Sequence, residues 1–157
     1  MKLRNLIKLP LLDGHTAEKL GEIERAVIGD DFRILYLVML SNNGIVCRVS
    51  GDDLTINDDA VLIYERASIK LFPDGEQLSI YDDKLGDLIF DDQGRELGQV
   101  SDFIIDRENK EVWGVEVSGG IMQDLLDGRC EIPLAQLHWA TPANIIYEQE
   151  GNEQYDH

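Results

Sequence analysis

The residues of this chain that could do chemistry include two cysteines and three histidines. A zinc site needs such ligands at close spacings, and a redox site needs a Cys-x-x-Cys pair or a base beside the thiol. Cys47 and Cys130 instead stand alone in apolar, β-branched surroundings, and the histidines are scattered. We therefore expect free, mostly buried thiols, no metal site and a cytoplasmic location, where thiols stay reduced.

Paired aspartates flank several predicted turns, and calcium is the chemistry that such pairs suggest. An EF-hand loop needs acids at fixed positions around a glycine. Gly94 and Gly128 both lack an acid at the required first position, so solvated turn residues are the expected role. Weak cation binding by the acidic surface stays open. The chain has no phosphate-binding glycine loop and no G-x-S-x-G motif. We expect no catalytic residue, no cofactor and no enzyme activity.

The charge of the chain is strongly acidic, with 31 acidic and 14 basic side chains and a net charge of -17. Residues 1–76 carry 9 basic and 13 acidic side chains, and residues 77–157 carry 5 and 18, so the second part holds -13. This field repels nucleic-acid phosphates and anionic lipids, and it favours a basic protein partner. The longest apolar run, Ile34 to Leu40, is far too short to span a bilayer.

Two stretches of the chain repeat one pattern. "LGEIERAVIGDDFRILYLVML" begins at Leu20, and "LGQVSDFIIDRENKEVWGVEV" begins at Leu97. In the first part of the repeat, a shift of 77 positions aligns the two copies and matches Tyr36 with Trp113. In the later part the shift is 83 positions, which matches Cys47 with Cys130. A repeat of this length indicates two related domains or two halves of one assembly. The recurring Gly21 and Gly98 suit a bend or bulge between strands, more than a ligand site.

Both copies consist of short β-branched segments between turn residues, which predicts strands. "ILYLVML" has no polar alternation, so we expect something to cover both faces of that strand, the second copy being one candidate. The predicted organisation is unit 1 over 1–66, a linking hairpin over 67–81, unit 2 over 82–148 and a polar tail over 149–157. Residues of the segment "IMQDLLDGR" recur at helical spacing and predict a short helical turn in unit 2.

The second copy contains "LGDLIFDDQGRELGQVSDFIIDRENKEVWGVEV", followed by "CEIPLAQL". In these segments it resembles the PRC-barrel domain. The first copy is similar but has Arg48-Val49-Ser50-Gly51 where the family has an I-P-L segment. The family includes a photosynthetic reaction-centre subunit domain, a ribosome maturation factor domain and small bacterial and archaeal proteins. The resemblance implies an all-β fold of two small β-barrel units in tandem, without general catalytic residues.

These observations predict a non-catalytic protein-binding or scaffolding module whose acidic surface contacts a basic protein. The alternative is an adaptor in ribosome or RNA metabolism that acts through a ribosomal protein. A homo-oligomer is compatible with either function. The candidate contact residues are Trp139, Met122, Leu125 and Leu126, which form an apolar patch if they are exposed. The competing interpretation places them in a lid over one barrel end or in a seam between the copies.

Overall fold

The computed structural model describes residues 1–72, 79–120 and 129–148. Within these ranges the regular structure is mostly β-strand, arranged in two curved half-barrel sheets with one short α-helix. The prediction of an all-β fold with two small barrel-type units is confirmed. The predicted helical turn after Gly120 and the predicted polar tail lie outside the described residues.

The chain divides into two compact units. Unit 1 contains Met1–Asp82 together with Ile105–Val112, and unit 2 contains Asp83–Ile104 and the chain from Trp113 onwards. Unit 1 is therefore discontinuous in sequence.

Seven strands form the sheet of unit 1, in the order β5-β6-β1-β2-β3-β4-β7. The strands are β1 Pro10–Asp13, β2 Lys19–Ile28, β3 Ile34–Ser41, β4 Val46–Ser50, β5 Leu54–Ile56, β6 Val61–Ile63 and β7 Lys70–Leu71. Neighbours pair antiparallel except β1 and β6, which pair parallel. The buried side chains of β1, β2 and β3 include Leu11, Ile23 and Leu37, each at most 1% exposed. Burial of such apolar side chains is the main force that holds the sheet in its curved form.

Six strands form the second sheet, in the order β11-β10-β9-β8-β13-β12. The strands are β8 Leu88–Phe90, β9 Glu96–Asp106, β10 Glu111–Ser118, β11 Arg129–Pro133, β12 Leu137–Trp139 and β13 Asn144–Tyr147. The order repeats that of β1 to β6, and β8 pairs parallel with β13 as β1 pairs with β6. Ile89 and Ile145 are fully buried and directly opposite on these two strands. One strand order therefore occurs twice in the chain.

β3 of the first sheet corresponds to β10 of the second sheet. The residue numbers of equivalent positions in these two strands differ by 78, one more than the sequence alignment predicts. Cys47 lies opposite Met39, and Cys130 lies opposite Val117. The burial patterns of β3 and β10 also coincide in this register, with exposed Leu35 at the position of exposed Trp113. The predicted match of Tyr36 with Trp113 was wrong by one residue.

Both faces of β3 are covered, as its uniform apolar sequence predicts. Leu37 and Met39 point into the core, and Tyr36 and Val38 point to the opposite face. On that opposite face, Tyr36 and Val38 form a small cluster with Val27, against which Phe72 packs. The segment that follows β7 therefore contributes to the cover of this face.

Residues beyond Phe72 strengthen this cover. The Ser79 hydroxyl oxygen is buried and accepts a hydrogen bond from the Ile28 backbone N–H at 3.0 Å. The α-helix Ile80–Lys84 follows, and its Asp82 carboxylate lies 3.8 Å from Arg25. Of the region predicted as a linking hairpin, Lys70–Leu71 is thus a strand paired with β4, and its turn lies outside the described residues.

Gly21 and Gly98 lie inside β2 and β9, next to irregularities in the pairing with β1 and β8. A side chain at Gly98 would place its Cβ 2.5 Å from the Ser118 carbonyl oxygen, and one at Gly21 would clash with the Leu40 carbonyl oxygen. The missing side chain lets neighbouring strands approach, so the structural interpretation of both glycines is confirmed.

The turn between β9 and β10 completes unit 1. Ile34 N–H donates to the Lys110 carbonyl oxygen at 2.9 Å, and Val112 N–H donates to the Phe32 carbonyl oxygen at 2.8 Å. Ile105 N–H donates to the Met1 carbonyl oxygen at 2.6 Å. These bonds join residues 105–112 to the rest of unit 1 at two places, one at Met1 and one at Phe32 and Ile34.

A short 3-10 turn at Leu3–Asn5 precedes β1, and three others connect strands at Gly51–Asp53, Arg66–Ser68 and Leu134–Gln136. None of the helices in the described residues combines the length and the hydropathy that crossing a membrane requires.

Candidate functional site

Trp139, one of the predicted contact residues, is half-buried in unit 2. Its indole Nε1–H donates to the Asp87 carboxylate at 2.9 Å, and the Lys84 ammonium lies 5.4 Å from the ring centroid. Lys84 is also 4.0 Å from Asp87. This arrangement gives the indole a structural role, through a charge-assisted hydrogen bond and a cation–π contact. The other predicted contact residues, Met122, Leu125 and Leu126, lie outside the described residues.

The cysteines are free thiols in both units. Cys47 is buried on β4, and Cys130 is half-buried on β11. Burial raises the pKa of both thiols, and the Glu131 carboxylate raises that of Cys130 further. A raised pKa keeps a thiol protonated and unreactive at neutral pH. Within the described residues, no group of three or more histidine, cysteine, aspartate or glutamate side chains is placed to hold a metal ion.

Two buried aspartates stabilise the first hairpin turn of each sheet. Asp13 Oδ1 accepts hydrogen bonds from the backbone N–H groups of His15 and Thr16, and its Oδ2 accepts one from Arg66 Nε at 2.8 Å. Asp91 Oδ1 accepts from the backbone N–H groups of Gln93 and Arg95, and its Oδ2 accepts from Arg95 Nε at 2.7 Å.

These contacts lower both pKa values. The hydrogen bond from Arg66 contributes most at Asp13, and the backbone hydrogen bond from Arg95 contributes most at Asp91. Asp91 was expected to be a solvated turn residue, but its side chain is buried because it holds the turn together.

Exposed carboxylates cover both units. Many of them form no ion pair with any described residue. These side chains are Asp30, Asp31, Asp52, Asp53, Asp59, Glu65, Asp83, Glu96, Glu108, Glu131 and Glu148. The negative charge of the sequence is thus present as uncompensated surface charge on the described residues.

Trp113 is a second aromatic residue at the surface. It is 46% exposed on β10, on the same side of the strand as the buried Val115 and Val117. Leu35, at the corresponding position of β3, is 47% exposed. Each sheet therefore leaves an apolar side chain accessible at one end of its row of core residues.

A cleft of about 710 Å³ lies in unit 1 between the turn that follows β5 and the turn that follows β9. Its walls include Asp58, Asp59 and Glu108 together with Arg107 and Lys110. Arg107 donates a hydrogen bond to Asp58 within this cleft. Acidic and basic groups therefore neutralise each other in part here.

A smaller pocket of about 460 Å³ lies on the face of unit 1 that carries Tyr36. Arg48 on β4 and Lys70 on β7 lie directly opposite each other and line it. The Arg48 guanidinium is 5.6 Å from the centroid of the Tyr36 ring. Ser50, Ser68, Leu35 and Asp53 complete the wall. We call this the Arg48–Lys70 pocket.

Tyr36 contributes an unusual group to this region. The residue is 8% exposed, and its hydroxyl is buried with no hydrogen-bond partner among the described residues. Burial raises the pKa of Tyr36, and the nearby Arg48 and Arg25 oppose that rise.

Sequence reasoning missed this pocket because the two cations are far apart in the chain. Only the pairing of a two-residue strand with β4 brings them together.

Comparison with known proteins supports the resemblance of the second copy. A family model described as PRC-barrel domain matches residues 79–146, which include all six strands of the second sheet except the last residue of β13. No curated protein matches the chain. The matched region, residues 79–146, has the all-β structure that the resemblance to the PRC-barrel domain implied.

Proposed function

We propose that the chain is a tandem PRC-barrel protein that acts as a non-catalytic, protein-binding module in the cytoplasm, and that its acidic surface contacts a basic protein partner. The proposal rests on one observation: many exposed carboxylates have no cationic partner among the described residues. Uncompensated charge of one sign steers a partner of the opposite sign and speeds its association.

The contact is best assigned to unit 2. Unit 2 carries 14 acidic and 3 basic side chains, whereas unit 1 carries 17 and 11. Glu96, Glu131 and Glu148 are exposed there without a cationic partner among the described residues. Exposed Trp113 adds an aromatic side chain of the kind that anchors protein interfaces. A basic surface with an apolar depression would complement both features.

The test begins with capture of partners from nuclease-treated extract on the immobilised full chain, followed by binding measurements with the purified partner. The proposal expects a basic protein whose affinity falls as the salt concentration rises. Partners that are acidic, that are nucleic acids, or that bind without dependence on salt contradict it. If the partner is a ribosomal protein, the chain also co-sediments with ribosomal particles, as the adaptor hypothesis requires.

Two charge variants locate the contact. The triple substitution Glu96→Gln, Glu131→Gln and Glu148→Gln is expected to weaken binding several-fold, since exposed ion pairs contribute roughly 0.2–1 kcal/mol each. The control, Asp52→Asn, Asp53→Asn and Asp59→Asn, changes the charge equally in unit 1 and is expected to change affinity little. Equal losses in both variants contradict the assignment to unit 2. Trp113→Ala should weaken binding further, whereas Leu71→Ala, which removes another exposed apolar side chain, should not.

A further inference from the structure

The Arg48–Lys70 pocket places two cations together in a strongly acidic protein. Arg48 and Lys70 are directly opposite on neighbouring antiparallel strands. Like charges in this position repel each other and destabilise a sheet unless a counter-charge is present. Among the described residues neither side chain forms an ion pair, although most other basic side chains there do. The pair is thus available to an anion.

The surroundings of the two cations fit a phosphate group. The Arg48 guanidinium can donate two parallel hydrogen bonds to an oxyanion, and the Lys70 ammonium adds a second positive charge. Ser50 and Ser68 line the same pocket and supply hydroxyl groups. A phosphate ester carries close to two negative charges and three acceptor oxygens. Two cations match that charge better than they match a single carboxylate.

The other walls suit an organic group attached to the phosphate. The Tyr36 ring lies beneath the Arg48 guanidinium, on the same face of the sheet as the two cations. The buried Tyr36 hydroxyl has no partner among the described residues and can still form a hydrogen bond. The volume of about 460 Å³ is in the range of small-molecule sites.

We propose that the Arg48–Lys70 pocket binds a small phosphate ester, with the phosphate held between Arg48 and Lys70 and the organic group against the Tyr36 ring. The acidity of the whole chain does not prevent this, because salt at physiological concentration screens exposed charges beyond about 8 Å. Asp53 also lines the pocket and opposes the ligand. This site is independent of the acidic surface proposed for the protein partner.

Calorimetric and NMR titrations of the full chain test the proposal, with phenyl phosphate, inorganic phosphate and benzoate as probes. We expect phenyl phosphate to bind most tightly and to shift backbone resonances of β4 and β7. Arg48→Gln and Lys70→Gln should each weaken it about tenfold or more, the loss of one charge-assisted contact. Asp53→Asn should strengthen it, because this change removes a negative charge that opposes the ligand.

Lys110→Gln is the matched control, because it removes one positive charge at the larger cleft of the same unit. It should leave phenyl phosphate binding unchanged. Absence of binding to the wild-type chain overturns the proposal without any variant, and so do resonance shifts confined to residues outside the wall of the pocket. Equal weakening by Lys110→Gln shows a general charge effect and overturns it too, and tighter binding of benzoate assigns the pocket to carboxylates instead. Circular dichroism of each variant verifies that it is folded.

Discussion

Asp13 and Asp91 each stabilise a hairpin turn, but the arginines that bind the two carboxylates lie in different parts of the chain. Each carboxylate holds a hairpin turn through two backbone N–H groups and one arginine Nε. Arg95 belongs to the turn that it stabilises, whereas Arg66 comes from 53 residues beyond Asp13. The two copies therefore keep the carboxylate and its geometry but supply the cation independently.

This arrangement predicts an acid-sensitive stability. The pKa values of Asp13 and Asp91 lie below the ordinary 3.8. A lowered pKa in the folded state contributes stability above the unfolded pKa, and that stability is lost as the pH falls through the folded value. Asp13→Asn and Asp91→Asn should therefore be less stable than the wild type at pH 7, and the difference should shrink as the pH falls below 3.8.

Urea denaturation followed by circular dichroism at several pH values measures this effect. Asp59→Asn, which removes an exposed carboxylate without an ion pair among the described residues, serves as the control. A difference between Asp91→Asn and wild type that stays constant as the pH falls from 7 to well below 3.8 would show that the charge of Asp91 is irrelevant.

The indole of Trp139 should contribute to stability through its hydrogen bond to Asp87. Trp139→Phe keeps the aromatic ring but removes the Nε1–H donor, so buried Asp87 loses a partner. The expected loss is about 1–3 kcal/mol in the free energy of unfolding. Trp113→Phe is the control, because Trp113 is exposed, and it should change stability by less than about 0.5 kcal/mol. If the two variants have the same denaturation midpoint, the Trp139 hydrogen bond makes no net contribution to the free energy of unfolding.

Gly21 and Gly98 should tolerate no side chain. Alanine at either position brings a Cβ against a backbone carbonyl oxygen of the neighbouring strand, so the strands must separate. We expect Gly21→Ala and Gly98→Ala to cost about 1–3 kcal/mol each, as overpacking does. The atoms nearest to a Cβ at Gly29 would be in the side chains of Asp31 and Leu35, not in a backbone carbonyl. Gly29→Ala should therefore be the mildest of the three in thermal denaturation, and an equal loss there would contradict the steric explanation.

The two thiols should react slowly in the folded chain. Because burial raises the pKa of Cys47 and Cys130, less thiolate is present at pH 7.5 than in a free cysteine, whose pKa is about 8.5. Alkylation with iodoacetamide, followed by mass spectrometry, should modify Cys130 before Cys47 because Cys130 is more exposed. In denaturant the two should react at similar, faster rates. Rapid modification of Cys47 in the folded chain would disagree with its burial.

Much of the fold follows from the sequence because local patterns determine it. The repeat, the turn residues and the β-branched segments predict short strands. The glycines that recur at Gly21 and Gly98 predict positions where neighbouring strands approach closely. The register of the third strand does not follow, because "ILYLVML" has no polar residue to mark its faces. Its uniform composition correctly indicates two covered faces. The contribution of Phe72 and Ser79 to that cover depends on a segment that sequence patterns treat as a linker.

The candidate sites follow less well from the sequence than the fold does. Arg48 and Lys70 meet through strand pairing, and Arg66 reaches Asp13 across the fold, so no short motif contains either pair. Trp139 was identified as notable from its type and its place near a turn. Its partners Asp87 and Lys84 come from another part of unit 2, and only the structure connects them.

The discontinuity of unit 1 has a consequence for synthesis of the chain on the ribosome. Residues 105–112 contribute backbone hydrogen bonds to Met1, Phe32 and Ile34. These hydrogen bonds of the first unit to be translated therefore cannot form until the middle of the second copy has left the exit tunnel. At typical translation rates of about 5–20 residues per second, this delay amounts to a few seconds. During that time the nascent chain exposes unpaired backbone at Phe32 to Ile34, so early engagement by a chaperone would benefit this protein more than one built from two independent domains.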